Sequence, residues 1–228
     1  MLGRQRRKSL PTSGDALRGA VGTTFKPLQK CRGFFIGLTP SGEHRMHAAI
    51  ICASGPSLTP ADCQTAARSG LPVIAINSSW RAIPECTHVY AGDLRWWDVN
   101  IPALPSGPER WSCNRRAHTR YGVSLFPTDT SGTFNSGQRA ILFAHWLGAK
   151  RIILLGFDCS ISNGSHWHGD HTALDNPTAA NVKRWHGEFA RVAAQLSGSV
   201  NIINSSRQTA LNCFRRLPLE AAISEVTC

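Results

Sequence analysis

From residue 46 onward, short apolar runs alternate with longer stretches of helical periodicity. Ala48-Ala49-Ile50-Ile51-Cys52 is an unbroken apolar run of strand length, the pattern of a strand buried on both faces. Pro72-Val73-Ile74-Ala75-Ile76, His88-Val89-Tyr90-Ala91 and Arg151-Ile152-Ile153-Leu154-Leu155-Gly156 repeat it, and Val200-Asn201-Ile202-Ile203 reads as the last strand. Between the first two runs, Thr59 suits a helix N-cap, Pro60 the first helical position and Asp62 the acidic capping partner, with Gly70 as the stop. Ser78 to Ile83 reads as a short helical turn, and Leu94-Arg95-Trp96-Trp97 starts a further helix or turn. Asn135-Ser136-Gly137 opens a helix with Ala140, Phe143, Ala144 and Leu147 on one face and Gly148 at its end. Asn176-Pro177-Thr178 caps a long helix whose core face is Trp185, Phe189, Val192 and Leu196, and Leu219 to Val226 is a closing helix. Strands that alternate with helices predict an α/β fold, a mostly parallel sheet covered by helices on both faces.

Two segments fall outside this alternation. Residues 100–134 are rich in Pro, Gly, Ser and Arg, and offer only a short strand at Val123-Ser124-Leu125. Their basic cluster, Arg110, Arg115, Arg116, His118 and Arg120, reads as a solvated loop or as a substrate-facing lid. Residues 1–45 lack sustained periodicity and predict a disordered basic tail, with Phe34-Phe35-Ile36 as the one apolar cluster. Either Met46 is the true start, or the tail is a plain extension or an arm that touches nucleic acid. Residues 46–228 then form a single Rossmann-like nucleotide-binding domain.

Locating the charge changes its meaning. Of the formal +11, residues 1–45 carry nine Lys or Arg against Asp15 and Glu43, and the remainder has 16 basic against 12 acidic residues. A globular part with a net +4 makes no strong case for duplex binding outside the tail. The eight cysteines form no CxxC pair, which predicts reduced thiols and a cytoplasmic setting. No apolar run approaches the roughly 20 residues of a membrane span, and the N-terminus lacks the apolar stretch of a secretory signal.

Polar residues recur where the predicted strands end: Ser54 after the first, Asn77 after the second, Asp93 after the third. In parallel sheets that carboxyl edge is where ligands bind. The turn Ser54-Gly55-Pro56-Ser57 precedes a helix start, where backbone N–H groups and the helix dipole can face a phosphate. Asn135, Ser136 and Gly137 sit at a second helix start, open to the same use or to simple capping.

The loop His166-Trp167-His168-Gly169-Asp170-His171 matches the HxHxDH zinc motif of metallo-β-lactamase-type hydrolases. Three imidazoles and a carboxylate could bind zinc and activate water. That motif needs further ligands downstream, where this chain has only His186 and Asp175, so no metal is assigned to it. The remaining readings are a polar surface loop and a general acid or base, for which an imidazole is suited near neutral pH.

Ala53-Ser54-Gly55-Pro56-Ser57-Leu58, Asn77, Asp93, Asn135-Ser136-Gly137 and Leu155-Gly156-Phe157-Asp158, in that order, resemble the motifs of one superfamily. It joins bacterial lipooligosaccharide sialyltransferases, archaeal 6-hydroxymethyl-dihydropterin diphosphokinases and many phage-borne proteins. The resemblance spans residues 48–206 and is nearest the phage-borne group, which shares the histidine loop followed by Asn-Pro-Thr. It implies that Ser54, Gly55, Pro56 and Ser57 contact a CMP moiety, that Asn77 and Asp93 bind ribose and base, and that Asn135, Ser136 and Gly137 contact the donor. It also implies Asp158 at the nucleotide site and His171, or else His168, as general base. The tyrosines that sialyltransferases place on the donor phosphate have no counterpart here, since the chain has only Tyr90 and Tyr121.

The expected activity is therefore sialyl-type transfer from a CMP-sugar-like donor to a hydroxyl of a small molecule or glycan, with no metal cofactor. One alternative is diphosphoryl transfer from ATP with Mg²⁺ on Asp93 or Asp158. Others are a zinc hydrolase acting through the histidine loop and a non-catalytic phage nucleotide-binding protein in the host cytoplasm.

Overall fold

Strand β1 (Ala48–Cys52) is buried along its whole length. Its side chains divide by the period of two: Ala49 and Ile51 join one core cluster, Ala48, Ile50 and Cys52 the other. A strand with apolar residues on both sides must lie inside a sheet with a helical layer on each face, which explains the unbroken run.

The computed structural model describes residues 46–131 and 134–227. The expectations for the tail, including Phe34-Phe35-Ile36, lie outside the described residues. After β1 come α1 (Pro60–Arg68), β2 (Val73–Ile76), a 3₁₀ turn (Asn77–Arg81), β3 (His88–Tyr90), α2 (Leu94–Asn100) and β4 (Glu109–Ser112). There follow α3 (Arg115–Tyr121), β5 (Ser124–Leu125), α4 (Ser136–Trp146), β6 (Arg151–Leu155), α5 (Ala179–Leu196), β7 (Asn201–Asn204), β8 (Arg215–Arg216) and α6 (Leu219–Thr227). The strands form one sheet in the order β5-β4-β3-β2-β1-β6-β7-β8, and every pairing is parallel.

One face is covered by α4 and α5, whose Phe143, Ala144, Phe189 and Val192 lie against Ile51, Tyr90, Ile152 and Leu154. The other face is covered by α1, α2, α3 and α6 through Ala66, Trp97, Ala117 and Ala222. Fully burying each Ile or Leu of β1 and β6 contributes on the order of 1.5–3 kcal/mol, so these central strands anchor the fold. The α1 capping box forms as its sequence predicts: Thr59 Oγ1 accepts from the Asp62 N–H, and the Thr59 N–H donates to the Asp62 carboxylate, both at 3.2 Å.

Residues 100–134 depart from expectation. They hold β4 and α3 in place of a loop or lid, beside the short strand expected at Val123-Ser124-Leu125, which forms as β5, and α3 carries Arg115, Arg116, His118 and Arg120. Among the residues of α3 only Ala117 is buried, so the helix shows no apolar period and its Asn114 cap is the main signal. Val200-Ile203 is not the last strand, because Arg215 and Arg216 pair with Ile203 and Asn204. Both residues of β8 are exposed, so no hydrophobic pattern marks it. Among the described residues, no helix is long and apolar enough to cross a membrane.

Candidate functional site

The sheet order places a switch point beside β1. From β1 the chain runs outward through β2 to β5, then returns to form β6 on β1's other edge. The turns that follow β1 and β6 therefore diverge to opposite sides, and a crevice opens between them at the carboxyl edge. A cavity of about 220 Å³, open on one side to solvent, lies there.

Each predicted element end delivers its residue to that cavity. Ser54 and Gly55 come from the turn after β1, Asn77 from the end of β2, Asp93 from the end of β3, Asn135, Ser136 and Gly137 from the start of α4, and Asp158 from the turn after β6. Pro56 and Ser57 do not line it. Ser57 instead fixes the wall: its N–H donates to Asp158 Oδ2 at 2.9 Å and its hydroxyl to Oδ1 at 2.7 Å. Behind this pair the chain is tightly closed. The Gly55 N–H donates to the Gly156 carbonyl at 2.9 Å, and a Cβ on Gly55 would stand 2.2 Å from Asp158 Oδ1 and 2.4 Å from the Gly156 oxygen. Only glycine permits this approach.

The polar groups differ in how far they are already committed. Asn135 caps α4 through Oδ1, which accepts from the Gln138 N–H at 2.8 Å, and its Nδ2 donates to the buried Glu188 carboxylate at 2.9 Å. Both carboxylate oxygens of Asp158 accept from Ser57. Burial pushes the Asp158 carboxyl up, and the Ser57 hydrogen bonds offset only part of that. Asp93 stays open to solvent along the cavity, while desolvation by the walls pushes its carboxyl up too. Asn77 stands apart. It holds a left-handed backbone (φ 49°), and its Oδ1 is buried with no hydrogen-bond partner. Asparagine tolerates that backbone better than most residues, and an unpartnered buried oxygen is costly, a combination typical of functional sites.

The histidine loop forms the remaining side. His166 lines the cavity, and its Nδ1 lies 2.8 Å from the Ser54 hydroxyl. The Trp167 N–H donates to the Ser54 carbonyl at 3.0 Å, while the indole lies against the α1–α2 face of the core. Alternation about that anchor brings His166 and His168 to one side, their rings stacked at 5.0 Å. Gly169, at φ 80°, turns the chain so that His171 returns to them, 4.7 Å from the His166 ring and 4.9 Å from the His168 ring. Asn176 holds the return: its Oδ1 accepts from the His171 N–H at 2.8 Å and its Nδ2 donates to the His171 carbonyl at 3.0 Å. Burial, then the neighbouring His171 and His168, lower the His166 pKa to about 4. His168 and His171 are lowered as well, chiefly by burial, with His171 acting on the first and Arg81 on the second.

The resemblance points to His171 or His168 for this side, yet neither lines the cavity, whereas His166 does. The HxH spacing was the available signal, since alternate residues of an extended segment share a side. The three imidazoles also converge without the downstream ligands that a metallo-β-lactamase-type site needs. Their ligating nitrogens all lie within 4.8 Å of one another, the one such group of three metal-ligating side chains among the described residues.

No family model matches the chain, and no curated protein does. Among solved structures it is similar to the MAf glycosyltransferase from Magnetospirillum magneticum AMB-1, at 14% identity and a TM-score of 0.54. The match covers 82% of this chain and 38% of that one, so the chain spans under two fifths of the neighbour's length. At this identity the likeness speaks for the Rossmann-like α/β fold alone.

Proposed function

We propose that the chain is a glycosyltransferase-like enzyme that moves a sugar, sialyl-type, from a CMP-sugar-like donor to an acceptor hydroxyl. The reading is carried by the convergence of three strand ends and the start of α4 on one cavity at the switch point of the sheet. In it, Asn77 and Asp93 take the ribose and base, and the N-terminus of α4 faces the phosphate, with the closed Gly55 turn as the wall beside it. The acceptor oxygen bonds to the sugar's anomeric carbon, the bond from that carbon to the phosphate oxygen breaks, and CMP leaves with the electron pair. The acceptor's proton passes to the histidine loop, whose His166 faces the cavity and is neutral at pH 7. The similarity of fold to a glycosyltransferase supports this reading.

The test is thermal unfolding of the full chain with CMP, CDP, UDP, GDP, AMP and ATP, each with and without Mg²⁺. CMP at a hundredfold excess over Kd is expected to raise Tm by about 5 °C or more without metal. Asn77→Ala is expected to abolish the shift. A shift with ATP that requires Mg²⁺ would instead favour diphosphoryl transfer through Asp93 and Asp158. No shift with any nucleotide would overturn the proposed site.

A further inference from the structure

We propose that His166, His168 and His171 bind a single Zn²⁺-class ion, with its fourth coordination position facing the nucleotide cavity. The geometry is near that of a formed site. The rings stand in an almost equilateral triangle of 4.7–5.0 Å, and the ligating nitrogens are within 4.8 Å of one another. Three imidazoles on a tetrahedral zinc hold their nitrogens about 3.3 Å apart, so closure needs a shift of about 1.5 Å at most. Side-chain rotation in a loop can supply that without moving the sheet.

Two further observations point to a cation. Nε2 of His166 and Nε2 of His168 are both buried and lack any hydrogen-bond partner. Buried nitrogens left unpartnered are costly, and a shared ion would satisfy both. The other nitrogen of His166, Nδ1, meets the Ser54 hydroxyl at 2.8 Å. A ligating imidazole characteristically engages an outer partner through its second nitrogen, which fixes tautomer and ring orientation. At His171 the hold is on the backbone, where Asn176 accepts from the N–H and donates to the carbonyl. Imidazole-only sites suit Zn²⁺, Cu²⁺ and Ni²⁺, not Mg²⁺.

Three protein ligands leave one position open, the composition of catalytic zinc centres. Of the three histidines, His166 is the one that lines the cavity, so the open position lies on that side. An oxygen bound there, from water or an acceptor hydroxyl, loses its proton more readily. With an ion in place, the three imidazoles would be engaged as ligands, and the ion would supply activation of the hydroxyl in place of the loop's own base. That role rests on the transferase reading, whereas binding of the ion does not.

The experiment uses the full chain without a polyhistidine tag, stripped with chelator and titrated with Zn²⁺ against a competing chelator. One ion per chain is expected, weakened at least a hundredfold by each of His166→Ala, His168→Ala and His171→Ala, and unchanged by His47→Ala. Co²⁺ bound to the unmutated protein is expected to give the intense visible bands of four-coordination, which shift on addition of azide. The Co²⁺ spectrum needs no variant, so misfolding of a substituted loop cannot mimic its result. Absence of stoichiometric Zn²⁺ binding, binding that survives the three substitutions, or a colourless Co²⁺ complex would each overturn the site. A visible spectrum indifferent to azide would overturn the open position. Tm shifts with CMP, read on the same variants, separate this outcome from failure of the nucleotide site.

Discussion

The two walls of the cavity are built by different means. The wall at the ends of β1 and β6 is made of backbone held in parallel register, with Gly55 against Gly156 and Ser57 against Asp158. It has no room for one added carbon. The opposite wall, the histidine loop, has almost no regular structure and is tied down at Ser54 and Asn176. Gly164 and Gly169 there would meet nothing within 4 Å if given a Cβ. Rigidity thus lies in the closed backbone wall, and adjustable side chains lie in the histidine loop.

The sharpest way to break this contrast is to add one methyl to each wall. Gly55→Ala should cost about 3 kcal/mol or more in urea unfolding, since overlap with a carbonyl and a carboxylate cannot be relieved by a rotamer change. Gly169→Ala should cost about 1 kcal/mol, the penalty of a left-handed backbone alone. Equal costs would mean that the walls do not differ. Next in size, Asp158→Ala should lose about 2 kcal/mol by leaving the Ser57 donors without their acceptor. Asn176→Ala should cost under about 1 kcal/mol, yet amide exchange at His171 should accelerate severalfold. Unchanged exchange would mean that the loop is held elsewhere.

The smallest effect concerns a brace outside both walls. Arg207 grips Asp62 through two nitrogens at 2.9 and 3.0 Å. Burial raises the Asp62 carboxyl, but hydrogen bonds from Arg207 and Thr59 outweigh it and leave the pKa below its usual value. A depressed folded pKa gives stability that is full above the unfolded value near 3.9 and fades as pH falls through the folded one. With Arg207 more than half exposed, solvent screening keeps the contribution small. Asp62→Asn should flatten the stability profile below about pH 4, and a variant with an unaltered acid limb would remove Asp62 from the account.

What the sequence discloses follows the range of the interactions involved. Thr59-Pro60-Asp62 specifies its helix within four residues, and Ile50-Ile51 specifies a central strand by apolar character alone. Ser54, Asn77 and Asp93 reach one cavity because parallel strands end on one edge, a rule of topology that sequence order conveys. Partners far along the chain stay hidden. Asn135 and Asp158 read as ligand contacts, yet their side chains are engaged by Glu188 and Ser57, 53 and 101 residues away. The same holds for His166, since the choice among three histidines is made by the Trp167 anchor on Ser54. Strand β8 and helix α3, with few buried residues, are held by their neighbours and leave no pattern of their own.

The pairing of β1 with β6 joins Ala48 to Arg151 and Cys52 to Leu155 across the length of four intervening strands. Contacts so distant in sequence form slowly, because a long loop must close before they yield any gain. Gly55 and Asp158 stand just beyond the ends of these two strands, so no partly folded chain lacking that pairing has the cavity. If the cavity takes the nucleotide proposed above, nucleotide present during refolding can engage only molecules whose central pair has zipped. It should slow unfolding and leave the rate of folding unchanged, which makes ligand capture a clock for the closing of the sheet.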